Sequence, residues 1–289
     1  MRSFVGAFLL GFPLGIGLLL APSQAFGTVI TKIDTFAVTR NGAAFFTDDF
    51  SDGVAPPNAP NFAGGTAASY GVNGSFPSGA ESAGKLQLNS SLGGLFVNSL
   101  GQRRLSQSAG LLTDISSDPA RGLKESQAFT VRALFDLRAG SAALDNYGIA
   151  LQDRAPGAGI TNGALLQVDI FRDASGHNLI RFDRQDFDTH TFTTTMITAV
   201  DFTAGDQIEL LLSHPGANTP DIFAAYRYVN SGTSPGAFLP FGRDTMFRDN
   251  TFARAAFFAS QQVPEPTTLA LLGIALTGLG FSRRKRASK

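Results

Sequence analysis

Apart from Glu265 near its C-terminus the chain holds three glutamates, Glu81, Glu125 and Glu209, and no two of them are neighbours. A retaining glycosidase needs two carboxylates about 5–5.5 Å apart, and this spacing offers no such pair. Asp183, Asp186 and Asp188 do sit together, but Arg181 and Arg184 are interleaved with them, a pattern that predicts solvated ion pairs at a strand end. The three histidines, His177, His190 and His214, fall in or beside turn-like segments without a metal-ligand spacing. There is no cysteine and no phosphate-binding loop, so no catalytic residue is assigned and the expectation is that the chain is not an enzyme. Asp48, Asp49 and Asp52 precede Gly53 and offer hard oxygen ligands for calcium. Their spacing is not that of an EF-hand loop, and the same aspartates serve equally to cap a turn after a strand.

The elements that would carry these residues are short alternating strands. In Phe129–Leu137 the apolar residues Phe129, Val131, Ala133, Phe135 and Leu137 share one face. Further strands are predicted over 28–38, 85–88, 94–98, 147–152, 165–171, 178–183, 190–198, 207–213, 222–229 and 251–259. Gly, Pro, Asn and Asp turns separate many of them. One short helix is predicted over 119–127. Residues 53–80 hold six Gly and four Pro and predict a long surface loop with one short strand near 69–72. Many short strands without helical crossovers imply antiparallel pairing in a sandwich or barrel, and residues 26–260 are read as one such domain.

Both ends differ from this middle. Arg2 followed by the apolar stretch Phe4–Leu20 and by Ala21-Pro-Ser-Gln-Ala25 has the layout of a signal peptide, residues 1–25, cleaved after Ala25 with Gly27 as the next site. At the other end, residues 261–289 consist of a linker, Val263-Pro264-Glu265-Pro266, an apolar helix over 267–281 and a basic end of Arg283, Arg284, Lys285, Arg286 and Lys289. The uninterrupted apolar stretch spans about 20–23 Å as helix, short of the roughly 30 Å hydrocarbon core, so it is a marginal permanent anchor. The basic end resists translocation and stays cytoplasmic. Pro264 and Pro266 hold an extended, accessible segment outside the bilayer. A permanent anchor and a transient sorting signal both fit this layout.

Of 23 basic residues one lies in residues 1–25 and five in 267–289, leaving the middle with 17 against 23 acidic ones, a net of −6. That balance gives no case for nucleic-acid binding. Tryptophan is absent and only Tyr70, Tyr147, Tyr226 and Tyr228 are tyrosines, which limits aromatic platforms for sugars. The 26 phenylalanines fall largely on strand faces, where burial accounts for them. Phe62 and Phe76 in the long loop either bind a ligand or cover the sandwich edge.

Two resemblances add to this reading. Val-Pro-Glu-Pro, the apolar run and Arg-Arg-Lys-Arg resemble the PEP-CTERM sorting segment of exported bacterial proteins. That resemblance implies an exosortase and the export machinery as partners, cleavage near Pro-Glu-Pro, and a Gram-negative host that makes extracellular polysaccharide. The protein would be tethered to the inner membrane first and then reach the cell surface or medium. The order Phe46-Thr-Asp-Asp-Phe-Ser-Asp-Gly53, a Gly-rich loop, Gly84-Lys-Leu-Gln-Leu88 and the later strands resembles concanavalin-like (laminin-G-like) jelly rolls. That likeness implies an all-β, antiparallel jelly-roll β-sandwich, flanked here by an N-terminal signal helix and the C-terminal apolar helix. It also keeps calcium at Asp48, Asp49 and Asp52 in play, no other cofactor being expected. The Glu-x-Asp-x-Glu run of the glycosidases that share this fold is missing. The expected function is therefore that of a non-catalytic envelope or extracellular-matrix protein, with a calcium-assisted glycan-binding (lectin-like) module as the alternative.

Overall fold

A computed structural model describes residues 30–56, 70–111, 123–140, 144–153, 163–247 and 252–263. The signal peptide with Ala25, the Pro-Glu-Pro triplet, the apolar helix and the basic end lie outside the described residues, as does Phe62. Seventeen strands follow in order: β1 (Ile30–Arg40), β2 (Ala43–Asp48), β3 (Tyr70–Asn73), β4 (Glu81–Ser82), β5 (Lys85–Asn89), β6 (Gly94–Val97), β7 (Arg103–Leu111), β8 (Leu123–Lys124) and β9 (Ala128–Asp136). Then come β10 (Asn146–Asp153), β11 (Ala164–Arg172), β12 (Asn178–Asp186), β13 (Thr191–Ala199), β14 (Gln207–Pro215), β15 (Asp221–Val229), β16 (Leu239–Thr245) and β17 (Phe252–Gln262). One 3-10 turn, Ser90–Leu92, is the only helical element among the described residues. No helix among them is long and apolar enough to cross a membrane.

The strands form two antiparallel sheets. The first runs β16-β15-β14-β9-β1-β5-β4 with β2 also on β1; the second runs β13-β12-β11-β10-β17-β7-β3 with β6 on β7 and β8 on β17. They pack face to face, β9 and β14 against β10, and β1 against β17, as a β-sandwich. Hairpins follow from local chemistry. Asn41 and Gly42 both take positive φ, 52° and 78°, which is the type I′ turn that matches strand twist and folds β2 back onto β1.

Alternation places the core. In β9 every second residue is buried, Phe129 through Phe135, and Leu137 continues the row. The residues facing them across the sandwich include Ile149, Leu166, Val168, Ile180 and Phe182, all fully buried. One end of this core is aromatic: Phe257 stands 5.1 Å from Phe36, 5.9 Å from Phe50 and 5.6 Å from Tyr70, centroid to centroid. Edge contacts of this kind add about 0.5–1.5 kcal/mol each to the burial of the rings.

One expectation is corrected. Leu123 and Lys124, expected in a short helix, form β8 against β17, because pairing with a core strand outweighs weak local helix propensity. The short strand expected near 69–72 is β3, Tyr70–Asn73, and Tyr70 is buried to 1% exposure in the aromatic cluster. Phe76 is half-buried against the core, as edge cover.

Candidate functional site

Strand alternation puts Asn146, Gln167, Asp169, Arg181, Asp183 and Gln185 on the outer face of the second sheet, away from the core. An outer face would ordinarily be solvated, yet Asp169 and Asp183 have no exposed area and Gln167 and Gln185 only 4%. The face is hollowed into a groove of about 390 Å³ that crosses the strands from Phe192 on β13 to Val72 on β3. Aromatic rings line it at Phe96, Phe171, Phe192 and Phe258.

Its floor is a hydrogen-bonded ladder perpendicular to the strands. Arg104 on β7 donates to Ser260 Oγ at 2.8 Å, to the Leu144 carbonyl at 2.6 Å and to Asn146 Oδ1 at 2.7 Å. Asn146 donates to Asp169 Oδ2 at 2.6 Å, and Gln167 donates to the same oxygen at 2.9 Å. Arg181, directly across from Asp169 in register, pairs with Asp169 at 2.9 Å and with Asp183 at 2.5 Å, and its guanidinium lies 3.8 Å over the Phe171 ring. Gln185 donates to Gln167 Oε1 at 3.2 Å. The ladder needs a bare position on β10: a Cβ at Gly148 would lie 2.2 Å from the Val168 carbonyl oxygen and 2.9 Å from Asp169 Cβ.

Burying two carboxylates around one guanidinium has electrostatic consequences. Burial, and next the Asp169 charge, push Asp183 up to about 7. Burial lowers Arg104 to about 10, with repulsion from Arg181 adding to it. Burial also opposes the charge on Arg181, but Asp169 and Asp183 outweigh it and raise its pKa. The ladder therefore holds its charges against one another. Gln152 Nε2, also lining the groove, is buried without a hydrogen-bond partner. Planar amides and hydroxyls between phenyl rings suit a neutral ligand with both hydroxyls and apolar faces.

The pairs expected as solvated at a strand end are thus corrected in part. Arg181 and Asp183 are interior to the ladder because the concave face excludes water from them. Arg184 instead reaches the first sheet, approaching Asp244 at 3.5 Å, with Asp186 at 3.7 Å on the other side. Asp188 accepts from the Gly163 amide at 3.1 Å.

The three aspartates considered for calcium take turn contacts. Asp48 is buried and accepts from the Phe50 amide at 2.9 Å and the Tyr70 hydroxyl at 3.0 Å; burial is the main reason its pKa rises. These bonds turn Phe50, at φ 51°, into the core. Asp49 accepts from the Ser51 hydroxyl at 2.6 Å and the Ser51 amide at 3.2 Å, which lowers its pKa. Asp52 accepts from the Val54 amide at 2.9 Å. Glu81, far away in sequence, joins this turn by accepting from the Gly53 amide at 2.8 Å. Burial, then Asp52 beside it, push Glu81 up to about 7. No three acidic or histidine side chains among the described residues converge as a metal ion would require.

The histidines do not meet. The exposed His177 bonds Asp173 at 3.1 Å, and His190 occupies a turn at φ 54°. His214 is buried, stacked 4.9 Å from Phe129, with its ring nitrogens at the Gln127 and Thr219 carbonyls. It ties the 215–219 turn to the sheet.

The C-terminal segment leaves from the second sheet. β17 continues to Gln262, and the Val263 amide donates to the Arg103 carbonyl at 2.9 Å. The segment that follows thus starts at a fixed corner of the sandwich. The described residues thus form a β-sandwich of two face-packed antiparallel sheets, and the C-terminal segment departs from the second of them. The family model described as the PEP-CTERM protein-sorting motif matches residues 262–286, about a tenth of the chain. That motif indicates sorting by an exosortase and implies export to the envelope or surface of a Gram-negative bacterium. No curated protein and no solved structure matches the chain.

The groove was hidden from sequence reasoning because its floor is built from residues assigned to the solvent side of each strand. One signal was present: Gln167-Val-Asp169 and Arg181-Phe-Asp183-Arg-Gln185 place planar or charged groups on one face of consecutive strands.

Proposed function

We propose that this chain is an exported, non-catalytic envelope or extracellular-matrix protein whose concanavalin-like sandwich is delivered by the C-terminal segment and released by an exosortase. The observation that carries the reading is the sorting motif at 262–286, beginning where β17 ends. The non-catalytic reading draws on the groove: its nearest carboxylates, Asp169 and Asp183, lie fully buried beneath the floor and bonded within the ladder, out of reach of a glycosidic bond. Replacing Pro264-Glu-Pro266 by Ala-Gln-Ala in the host tests the sorting half. The protein should accumulate in the inner-membrane fraction; undiminished surface protein would refute exosortase delivery. Purified mature protein should release no reducing sugar from host matrix polysaccharide.

The groove favours a second reading, a glycan-binding module. Sugars present hydroxyls to amides such as Gln152 and apolar ring faces to phenyl groups such as Phe192. In the calcium-assisted form of this reading Asp48, Asp49 and Asp52 hold the ion. A neutral-oligosaccharide array separates the forms. Loss of binding on Gln152→Ala and Phe192→Ala with no effect of EDTA places the ligand in the groove. Loss with EDTA and on Asp49→Ala places it at the aspartate turn, and no binding to any glycan removes the module.

A further inference from the structure

We propose that the corner of the second sheet beside the tail, built by β6 and the turn at 98–101, seats on the lipid surface while the C-terminal segment still holds the chain. This rests on the reading of that segment as membrane-held before processing.

Single exposed aliphatic residues are ordinary on a protein surface, but here they are concentrated. Leu92, Leu95 and Val97, within six residues, are 37%, 52% and 48% exposed, and Leu100 on the rim of the groove is 51% exposed. The pleat explains the row. Phe96 turns toward the groove and packs 6.2 Å from Phe187, so Leu95 and Val97 point to the other face, where half their surface stays uncovered. β6 is paired with β7 alone. Edge strands are usually blunted by charge, and the charge beside this row is the exposed Arg103, Val97's partner in register.

The same Arg103 marks the tail. Its carbonyl accepts from the Val263 amide, so Val97, Arg103 and Val263 lie in one row across three strands. At a strand spacing of about 4.8 Å, Val97 is about 10 Å from the point of departure. From Val263 to Leu269, where the apolar run begins, six residues reach at most about 20 Å when extended. Pro264 and Pro266 favour that extended form. The headgroup layer takes up about 5–8 Å of this reach. A chain held by residues 269–281 therefore keeps this corner within reach of the bilayer. Aliphatic side chains beside an arginine are the chemistry of a surface that rests in the interface of an anionic membrane. Seating there would fix Pro264-Glu-Pro266 at a constant height just outside the lipid, where a membrane-embedded processing enzyme works.

The chain has no cysteine, so single-cysteine labelling is clean. Full-length protein carrying an environment-sensitive dye at Val97→Cys, Ala275→Cys or Ala43→Cys is reconstituted in vesicles of phosphatidylethanolamine and phosphatidylglycerol. Ala43 is exposed at the far end of β1, the opposite end of the sandwich. The expected result is a blue shift and quenching by a lipid-borne quencher at 97 and 275, with neither at 43. A shift at 275 with position 97 behaving like 43 overturns the inference and leaves the tail reading intact. No shift at 275 overturns both. In cells, Leu95→Asp with Val97→Asp should slow processing severalfold with an unchanged melting temperature. Slowed processing without a vesicle shift at 97 would mean that the corner docks on the exosortase, which contradicts lipid seating.

Discussion

Val168 and Asp169 are consecutive residues of β11, and neither has any exposed surface. One faces the other sheet and is surrounded by aliphatic and aromatic side chains; the other faces outward and is held by Arg181, Asn146 and Gln167. At this point of the second sheet both faces are dry, but they are stabilised by different physics. The inner face gains from removing apolar area from water, about 25 cal/mol per Å². The outer face gains little net from its charges, since desolvation of a buried ion pair offsets most of the attraction. What the outer face acquires is a fixed array of donors and acceptors over a concave surface, which is the requirement of a binding site rather than of a core.

The largest test strikes the inner face. Phe257→Ala removes the ring shared by Phe36, Phe50 and Tyr70 and should cost about 3–5 kcal/mol in urea unfolding. On the outer face, Arg181→Ala should cost a comparable amount, about 3–5 kcal/mol, because it strands two buried carboxylates. The comparison sharpens in the triple variant Asp169→Asn, Arg181→Met, Asp183→Asn. If the ladder is positional rather than stabilising, that variant should unfold near the wild-type midpoint while losing any groove ligand; a loss as large as that of Arg181→Ala alone would make the ladder a stabilising core in its own right.

Legibility in the sequence divides along the same line. The inner face was readable: the Phe129–Leu137 alternation is β9, and most of the other expected strands stand within a few residues of their predicted ends. β7 escaped because Arg103-Arg-Leu-Ser-Gln-Ser-Ala-Gly-Leu111 has few β-branched or aromatic residues; it is a strand through pairing with β17, β3 and β6. β16 escaped because Pro240 and Gly242 argue against a strand, and both are tolerated at the sheet edge. β2 escaped although Asn41-Gly42 is a strong hairpin signal. The groove was not legible because polarity on alternate residues predicts solvent, and only the curvature of the assembled sheet removes that solvent.

Intermediate effects follow from proton linkage and from glycine. Asp183, raised to about 7 from 3.8, holds its proton longer folded than unfolded. Its contribution is therefore fully present below about pH 4 and is lost as pH rises toward 7. Wild-type stability should fall across that window, and Asp183→Asn should flatten the slope in pH-resolved urea melts. Glu81 adds a slope of the same sign at the aspartate turn, so the flattening should be partial. Gly148→Ala drives a methyl into the Val168 carbonyl and should cost about 1–3 kcal/mol. The smallest effect belongs to a polar pair on neither face: His177→Ala, which breaks an exposed contact with Asp173, should change stability by less than about 0.5 kcal/mol.

All of these variants probe the cargo, whereas the central claim concerns its handling. The most direct test is the intact mass of the mature surface protein. The account predicts a chain that begins after the signal peptide and ends near Pro264-Glu265-Pro266, without Arg283–Lys289. A mature surface form that still carries Arg283–Lys289 would contradict it and make the apolar run a permanent anchor.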